Sequence, residues 1–239
     1  MGRLDNRVAI VTGAGAGIGK GIARKFAAEG AAVMVAEYNE ATGAAVAADL
    51  RGEFDAQAEF RRVDIGDKAQ VLEMVAAAAR RFGKVDILVN NAWAVRRGVG
   101  NGYARVEDKT DADWEHAFRV GYMGAFWAMQ AVFPIMRDQR WGRIINLGSL
   151  NGVNAHVLTS DYNVAKEALR ALTRSAAREW AKHQICCNMI CPAAATESYK
   201  SFAAAQPEIA ATILKQNPMG RRGDPESDIG GVALFLASE

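Results

Sequence analysis

Runs of apolar residues alternate with longer stretches of helical periodicity along nearly the whole chain. The apolar runs have the length of strands and no polar face, as is typical of strands buried on both sides in a parallel sheet. The predicted strands are residues 8–11, 32–36, 60–63, 85–89, 143–147 and 185–190. The predicted helices are residues 17–29, 40–50, 67–82, 111–136, 161–182, 207–216 and 227–236. This alternation predicts an α/β fold: a doubly wound parallel sheet with helices on both faces, which binds ligands at the carboxyl ends of its strands.

The length and charge of the chain exclude several classes of protein. With 239 residues, no internal repeat and no linker-like segment, the chain is expected to form one domain. A net charge of +2 without a long basic run argues against nucleic acid as a partner. The N-terminus lacks the apolar core of a signal peptide, and no apolar stretch reaches the ~20 residues that cross a bilayer. We therefore expect a cytoplasmic protein without a membrane partner.

The three cysteines lie close together, in the last predicted strand and just after it. Cys186, Cys187 and Cys191 form no C-x-x-C pair, and His183 would have to turn back from a neighbouring helix to join them. We interpret the cysteines as small buried strand residues and expect no metal site.

A glycine-rich turn follows the first predicted strand and reads Thr12-Gly13-Ala14-Gly15-Ala16-Gly17-Ile18-Gly19. The G-x-G-x-x-G spacing fails because Ile18 occupies the third position, whereas a wider spacing through Gly13, Gly17 and Gly19 fits. Either spacing gives a tight turn, a close backbone approach to a pyrophosphate and a helix N-terminus directed at the anion. The alternative is that the glycines only allow a tight turn and bind no cofactor. The position at the first strand–helix junction favours cofactor contacts with Gly13, Gly15, Ala16, Gly17, Ile18 and Gly19.

An acidic residue follows the second predicted strand, where a dinucleotide site needs one to bind the ribose hydroxyls. Glu37 stands eighteen positions after Gly19 (37 − 19). Its carboxylate would repel the extra phosphate of NADP, and no Lys or Arg lies in the glycine-rich turn or beside Glu37 in the sequence. The sequence therefore predicts NAD as the cofactor.

A tyrosine and a lysine share one face of the predicted helix 161–182. Tyr162 and Lys166 are four positions apart, a spacing that is common and usually structural. Ser149 favours a catalytic set, because it follows the strand 143–147 and so lies at a carboxyl end, where ligands bind.

The combined motifs make the sequence resemble the short-chain dehydrogenase/reductase family. The matching residues are Thr12-Gly13-x-x-x-Gly17-Ile18-Gly19, Asp64, Asn90-Asn91-Ala92, Ser149, Tyr162-x-x-x-Lys166 and Asn188-x-x-x-Pro192. The resemblance extends from Arg7 to the end of the chain. It implies a single NAD-binding domain of the Rossmann type over residues 1–239, with a substrate loop at about residues 193–219. The implied activity is hydride transfer between NAD and a small or medium-sized secondary alcohol or ketone, including cyclic ones.

The resemblance also implies roles for individual residues. Tyr162 would be the general acid/base, Ser149 would hold the substrate oxygen by a hydrogen bond, and Lys166 would bind the nicotinamide ribose. A free tyrosine has a pKa near 10, so we expect the Lys166 ammonium to lower the pKa of Tyr162. The cofactor-binding residues implied at the other positions are Asp64 and its neighbour Ile65 at the adenine end, Asn91 on the adenosine ribose side and Thr196 at the nicotinamide amide.

The sequence departs from the family pattern at three positions. Seven residues after Trp114, where the family usually has an asparagine that anchors a water relaying protons to the lysine, this chain has Gly121. Trp93 replaces the glycine of the Asn-Asn-Ala-Gly motif, and Ala193 replaces the glycine of a Pro-Gly pair. We expect these changes to reshape the pocket or slow proton transfer without abolishing activity. Family members also continue past the position of Glu239 with a last strand, so the resemblance leaves open whether the protein has a truncated C-terminal strand.

Two loop-like segments, residues 94–109 and residues 193–219, are expected to shape the substrate side of the site. The predicted pocket residues, an aromatic and mildly polar set, are Trp93, Leu150, Asn151, His156 and Tyr199. The segment 94–109 carries Arg96 and Arg97 among several glycines. It is either a solvated loop or a lid whose arginines meet an acidic group of the substrate or screen the pyrophosphate.

Surplus apolar residues on two predicted helices indicate assembly. Helices 111–136 and 161–182 are apolar over more than one face, which predicts a dimer or tetramer joined through them. Two other activities stay open: reduction of a C=C bond on the same scaffold, and a non-catalytic NAD-binding, redox-sensing module. The tyrosine–lysine spacing opposes the first, and the presence of Ser149, Tyr162 and Lys166 opposes the second.

Overall fold

Six parallel strands form one sheet in the computed structural model, which describes residues 2–94, 102–215 and 217–239. The strands are β1 (Val8–Thr12), β2 (Ala32–Glu37), β3 (Ala58–Arg62), β4 (Ile87–Asn90), β5 (Gly142–Leu147) and β6 (Ile185–Ile190). Their order across the sheet is β3-β2-β1-β4-β5-β6. The direction of winding reverses between β1 and β4, which opens a crevice at the carboxyl ends of these two strands.

Helices cover both faces of the sheet. The α-helices of the described residues are α1 (Gly17–Ala28), α2 (Glu40–Phe54), α3 (Lys68–Phe82), α4 (Asp111–Phe118), α5 (Gly124–Gln139), α6 (Leu150–Val153), α7 (Ser160–Trp180), α8 (Glu197–Ala205), α9 (Pro207–Lys215) and α10 (Gly230–Ala237). One core lies between the sheet and α1, α2 and α10, and the other lies between the sheet and α3, α5 and α7. The predicted doubly wound sheet is confirmed.

Neighbouring residues of one strand belong to different cores. Val11 and Val89 pack in the core of α1, α2 and α10, whereas Ile10 and Leu88 pack in the core of α3, α5 and α7. All four side chains are fully buried. Because successive strand side chains point to opposite faces, a strand covered on both sides must be apolar at every position. This explains the unbroken apolar runs of the sequence.

The stretch 111–136, predicted as one helix, consists of three pieces. α4 passes into a π-helical segment, Arg119–Met123, before α5 begins. Thr110 and Asp113 form a reciprocal capping box at the start of α4. A π turn inserts a single residue and leaves the apolar pattern almost unchanged, so periodicity alone did not indicate it.

Residues 193–219, predicted as a substrate loop, contain two helices. α9 agrees with the predicted helix at residues 207–216, but α8 lies where no helix was predicted. The Thr196 hydroxyl caps α8 by accepting a hydrogen bond from the Tyr199 N–H. α8 has only nine residues and buries none of them fully, so its apolar pattern is too short to identify a helix in a sequence.

The cysteines are not all buried as predicted. Cys187 is buried, Cys191 is half-buried and Cys186 is exposed. Cys186 lies on β6, the edge strand of the sheet, where the cover by helices is incomplete. Within residues 2–94, 102–215 and 217–239, no three His, Cys, Asp or Glu side chains are grouped as metal ligands. None of the helices described is both long and apolar enough to span a bilayer.

Candidate active site

A cleft of about 870 Å³ opens at the carboxyl ends of β1 and β4. The glycine-rich turn after β1, the residues that follow β2, β3 and β4, and the start of α8 form its walls. The lining residues with predicted roles are Gly13, Ala16, Gly17, Ile18, Glu37, Asp64, Ile65, Asn91, Trp93 and Thr196. The fold thus brings together residues from five separate segments of the chain.

The glycine-rich turn leaves the N-terminus of α1 open toward the cleft. Gly13 has a φ of +65°, and a Cβ there would lie 2.9 Å from the Cα of Ala92. A Cβ on Gly19 would lie 2.2 Å from the carbonyl oxygen of Gly13, so Gly19 serves the packing of α1 on the turn. Ala16, the N-cap residue, offers no side-chain hydrogen bond to the first turn, and no acidic residue lies there. The N–H groups and the positive end of the helix dipole therefore fit the pyrophosphate of a dinucleotide.

Three backbone N–H groups hold the Glu37 carboxylate at one end of the cleft. Oε2 accepts from Gly15 at 3.0 Å, and Oε1 accepts from Tyr38 at 2.8 Å and from Asn39 at 3.0 Å. A Cβ on Gly15 would lie 2.7 Å from the Glu37 Cγ, so glycine at this position makes room for the carboxylate. Glu37 is thereby fixed at the point where the ribose hydroxyls of a dinucleotide are expected.

An arginine lies beside Glu37 in the sheet, although none lies beside it in the sequence. β2 and β3 pair so that Glu37 is opposite Arg62. The exposed Arg62 guanidinium lies 5.3 Å from the centre of the Tyr38 ring. Strand pairing thus places Arg62 opposite Glu37, although the two residues are 25 positions apart in the sequence (62 − 37).

The other residues predicted at the cofactor site occupy the cleft wall in different ways. The Asp64 carboxylate accepts from the Gly66 N–H at 2.8 Å, and Ile65 lies beside it. The Asn91 amide donates to the carbonyl oxygens of Thr12 at 2.9 Å and Gly13 at 3.1 Å, and so joins the ends of β1 and β4. Thr196 faces the glycine-rich turn, because a Cβ on Gly17 would lie 3.3 Å from the Thr196 Cγ2.

The predicted catalytic residues meet between β5 and α7. Ser149 caps α6 by accepting from the Asn151 N–H at 3.1 Å, and it lies near enough to the Tyr162 hydroxyl to affect the pKa of that group. Lys166 follows Tyr162 by one helical turn, and its Nζ donates to the Leu147 carbonyl oxygen at 2.8 Å. Lys166 is only 4 % exposed. The same Nζ is 5.7 Å from the centre of the Tyr162 ring.

Burial changes the pKa of both ionisable groups. It raises the pKa of Tyr162 above 10, and the hydrogen bond with Ser149 lowers the pKa by a smaller amount. The expectation of a lowered tyrosine pKa is thus wrong for the protein alone, because the Lys166 ammonium is directed at Leu147 and does not offset the loss of solvent. Burial also lowers the pKa of Lys166 to about 8.

Trp93 is the predicted substrate residue that meets the catalytic set. Its ring centre lies 4.6 Å from that of Tyr162 in an edge-to-face arrangement. The Lys166 Nζ lies 5.9 Å from the indole centre. Because Trp93 also lines the cleft, it forms the boundary between the cofactor side and the tyrosine.

The structure does not bring the remaining predicted substrate residues to the cleft wall. Leu150 and Asn151 follow Ser149 directly, and the Leu150 side chain is exposed. His156 is exposed, and its carbonyl oxygen accepts from Thr159 and Asn163. The Tyr199 ring packs under the Arg222 guanidinium, which is 3.9 Å from its centre.

Residues 102–109, the C-terminal part of the segment 94–109, form hydrogen bonds and an ion pair with the start of α7 and the residues before it. Lys109 Nζ forms a buried ion pair with the Asp161 carboxylate at 2.8 Å and donates to the Gly102 carbonyl oxygen at 2.6 Å. The Ala104 N–H donates to the Leu158 carbonyl oxygen at 3.1 Å. Asp161 immediately precedes Tyr162, so this segment adjoins the catalytic residues. Arg96 and Arg97, the arginines of the predicted lid, lie outside the described residues.

Several lining residues were not predicted. Tyr38 and Asn39 follow Glu37 directly, so their place after β2 could have indicated them. His116 also lines the cleft, with its Nε2 2.9 Å from the Ala94 carbonyl oxygen, and Ser198 lines it from α8. The orientation of α4 and α8 depends on tertiary packing, which leaves no local signal for these two residues.

Comparisons with known proteins agree with this geometry. Residues 7–206 match the family model for short chain dehydrogenases. The chain is 34% identical to the 12alpha-hydroxysteroid dehydrogenase of Clostridium sp., over 100% of this chain and 92% of that protein. It is 37% identical to the galactitol 2-dehydrogenase (L-tagatose-forming) of Cereibacter sphaeroides, over 99% of this chain and 89% of that protein. The crystal structure of levodione reductase superposes with a TM-score of 0.89 at 30% identity, over 98% of this chain and 92% of that one.

Proposed function

The chain belongs to the short-chain dehydrogenase family, and we propose that it transfers a hydride between NAD and a small or medium-sized secondary alcohol or its ketone. Its class, an oxidoreductase of secondary alcohols and ketones, follows from the family and from its relatives. The observation that supports the catalytic roles most strongly is that Ser149, Tyr162 and the buried Lys166 lie together between β5 and α7.

The Ser149–Tyr162 pair handles the proton of the reaction. A substrate oxygen placed against the pair is held by the Ser149 hydroxyl, while Tyr162 gives it a proton in ketone reduction or removes one in alcohol oxidation. Burial keeps Tyr162 protonated at neutral pH, which is the state that donates to a ketone. When bound, the nicotinamide group supplies the hydride in reduction and takes it up in oxidation.

Lys166 supports Tyr162 through charge and position. Its hydrogen bond to the Leu147 carbonyl oxygen fixes the ammonium at the end of β5, 5.7 Å from the centre of the tyrosine ring. A positive charge at this distance in a buried site favours the phenolate that forms whenever Tyr162 gives up its proton. We also assign to Lys166 a hydrogen bond with the nicotinamide ribose.

We expect NAD to bind more tightly than NADP by about tenfold or more, because the fixed Glu37 carboxylate repels a phosphate at the ribose end of the cleft. Arg62 favours the phosphate, but it is exposed and screened, whereas three N–H groups hold Glu37 in place. Calorimetric titration with each cofactor measures the preference. Equal affinities, or tighter binding of NADP, would overturn the choice of NAD.

Two variants separate the charges that set this preference. Glu37→Ala is expected to strengthen NADP binding, because it leaves the Arg62 guanidinium unopposed beside the ribose end. The double variant Glu37→Ala/Arg62→Ala should lose that gain, and the gain should shrink with added salt. An NADP affinity unaffected by either substitution would show that neither side chain faces the phosphate position.

The substrate is proposed from the walls that surround Tyr162. Trp93 lines the cleft and presents an indole beside the tyrosine. An aromatic wall of this kind suits a cyclic, apolar substrate. Two relatives are named for such substrates, a hydroxysteroid in one case and levodione in the other. We therefore propose cyclic or medium-sized apolar secondary alcohols and the corresponding ketones.

A dimer or tetramer is proposed from the helices α5 and α7. Trp127 and Leu169, two of the apolar residues of these helices, are buried within the chain. The aromatic and aliphatic residues of these helices that stay only partly buried are Phe126, Phe133, Leu172 and Trp180. Val164, on α7, is 43% exposed. Light scattering at micromolar concentration should show an oligomer that Val164→Glu weakens, and a monomeric wild type would contradict this arrangement.

A further inference from the structure

Trp93 and Gly121, which lie on different elements, contact each other close to the catalytic tyrosine. Trp93 follows β4, and Gly121 lies in the π-helical segment Arg119–Met123, 28 positions later (121 − 93). A Cβ on Gly121 would lie 2.7 Å from Cζ3 and 3.2 Å from Cε3 of the Trp93 indole, and 3.2 Å from the Ala165 Cβ. Real Cβ atoms essentially never approach a neighbour to 2.7 Å, so any other residue at position 121 must displace the indole or the helix.

The indole connects Gly121 to Tyr162. Its ring centre is 4.6 Å from that of Tyr162, with the two planes inclined by 69°. Ala165, which also approaches Gly121, lies on α7 between Tyr162 and Lys166 and is fully buried. A displaced indole therefore moves relative to the helix that carries both catalytic residues.

We propose that Trp93 and Gly121 form a coupled pair that positions Tyr162, in which the missing side chain of Gly121 makes room for the indole that packs against the tyrosine. A glycine inside a helical segment lowers stability relative to alanine, and this close approach accounts for its presence. Gly121 acts through Trp93 and is a positioning residue. The inference rests on the proposed function, because its main readout is turnover.

A double-mutant cycle of Gly121→Ala and Trp93→Ala tests the pair. In the wild-type background, Gly121→Ala is expected to lower kcat by about tenfold or more, because sub-ångström displacement of a reacting group is costly. The affinity for NAD, measured by calorimetry, should fall much less than kcat, since most of the cleft wall is formed by residues other than Trp93. In the Trp93→Ala background, the same Gly121→Ala change should have a much smaller effect on kcat, because the 2.7 Å overlap with the indole is gone and only the 3.2 Å approach to the Ala165 Cβ remains.

Gly52→Ala is the matched control. Gly52 also lies inside a helix, α2, but a Cβ there meets nothing within 4 Å. This variant should keep the activity of the wild type and unfold at a slightly higher temperature, since alanine favours a helix. A loss of activity in Gly121→Ala and not in Gly52→Ala assigns the effect to the contact with Trp93.

Two outcomes would contradict the proposed coupling of Trp93 and Gly121. One is an unchanged kcat for Gly121→Ala. The other is a Gly121→Ala change that lowers kcat by the same factor in the wild-type and Trp93→Ala backgrounds. If Gly121→Ala does not fold, the double variant decides: a folded, active Trp93→Ala/Gly121→Ala supports the pair, and an unfolded one contradicts it. If the wild type itself turns over no alcohol or ketone, the proposed function fails, and the unfolding temperatures of the four proteins still show whether the two positions are coupled or additive.

Discussion

Replacing Tyr162 with phenylalanine should lower turnover by about a hundredfold or more while leaving the affinity for NAD nearly unchanged. The substitution removes the hydroxyl that exchanges a proton with the substrate oxygen and keeps the ring that packs against Trp93. General acid–base catalysis contributes about 10²–10⁴ in rate, which sets the expected size of the loss. Steady-state kinetics with the best alcohol, together with calorimetric titration of NAD, measures both quantities.

Tyr122→Phe is the control for this loss. Tyr122 lies in the π-helical segment and stacks on Phe126, away from the cleft wall. Removing its hydroxyl should leave turnover near that of the wild type. A Tyr162→Phe protein that keeps most of its activity would show that another group carries the proton.

Replacing Lys166 with methionine should lower turnover by about a hundredfold or more, because the phenolate of Tyr162 loses its neighbouring positive charge. NAD should also bind more weakly if Lys166 contacts the nicotinamide ribose. The variant is nevertheless expected to unfold at pH 7 at a temperature no lower than that of the wild type. A lysine whose pKa falls from 10.5 to about 8 on folding carries a penalty of roughly 3 kcal/mol at neutral pH, which offsets the lost hydrogen bond to Leu147.

The pH dependence of this comparison follows from the lowered pKa of Lys166. Between pH 8 and pH 10.5 the unfolded chain holds the Lys166 proton and the folded protein releases it, so the wild type gains stability as the pH rises. The penalty is fully present below pH 8 and relieved above it. Relative to Lys166→Met, the wild type should therefore become more stable as the pH is raised from 7 to 10. A stability difference that does not change with pH would contradict the burial of a charged Lys166.

The sheet could be predicted because its strands carry the signal locally. Each of β1 and β4 sends alternate side chains into two different cores, and this requires an apolar residue at every position. The glycine-rich turn and Glu37 are also local features, since a strand, a turn and a helix start follow one another in the sequence. Such elements can be recognised before any tertiary contact is known.

The features that were missed depend on contacts between distant segments. Arg62 lies opposite Glu37 only through the pairing of β2 with β3, and Trp93 meets Gly121 only because tertiary packing places the π-helical segment against the residue that follows Ala92. The sequence shows that both Trp93 and Gly121 depart from the family pattern, but not that one makes room for the other. The raised pKa of Tyr162 has the same origin, because burial and the direction of the Lys166 ammonium depend on the assembled site.

The most direct test of the proposed function is a turnover assay that follows the absorbance of reduced nicotinamide with a panel of cyclic and open-chain secondary alcohols. Wild-type protein should reduce NAD with at least one of these alcohols, and Tyr162→Phe, folded and able to bind NAD, should do so about a hundredfold or more slowly. The same panel with NADP in place of NAD should give slower turnover, because Glu37 disfavours the extra phosphate. A wild-type protein that binds NAD but reduces neither cofactor with any alcohol, and oxidises neither reduced cofactor with the matching ketones, would contradict the account and favour a non-catalytic cofactor-binding protein.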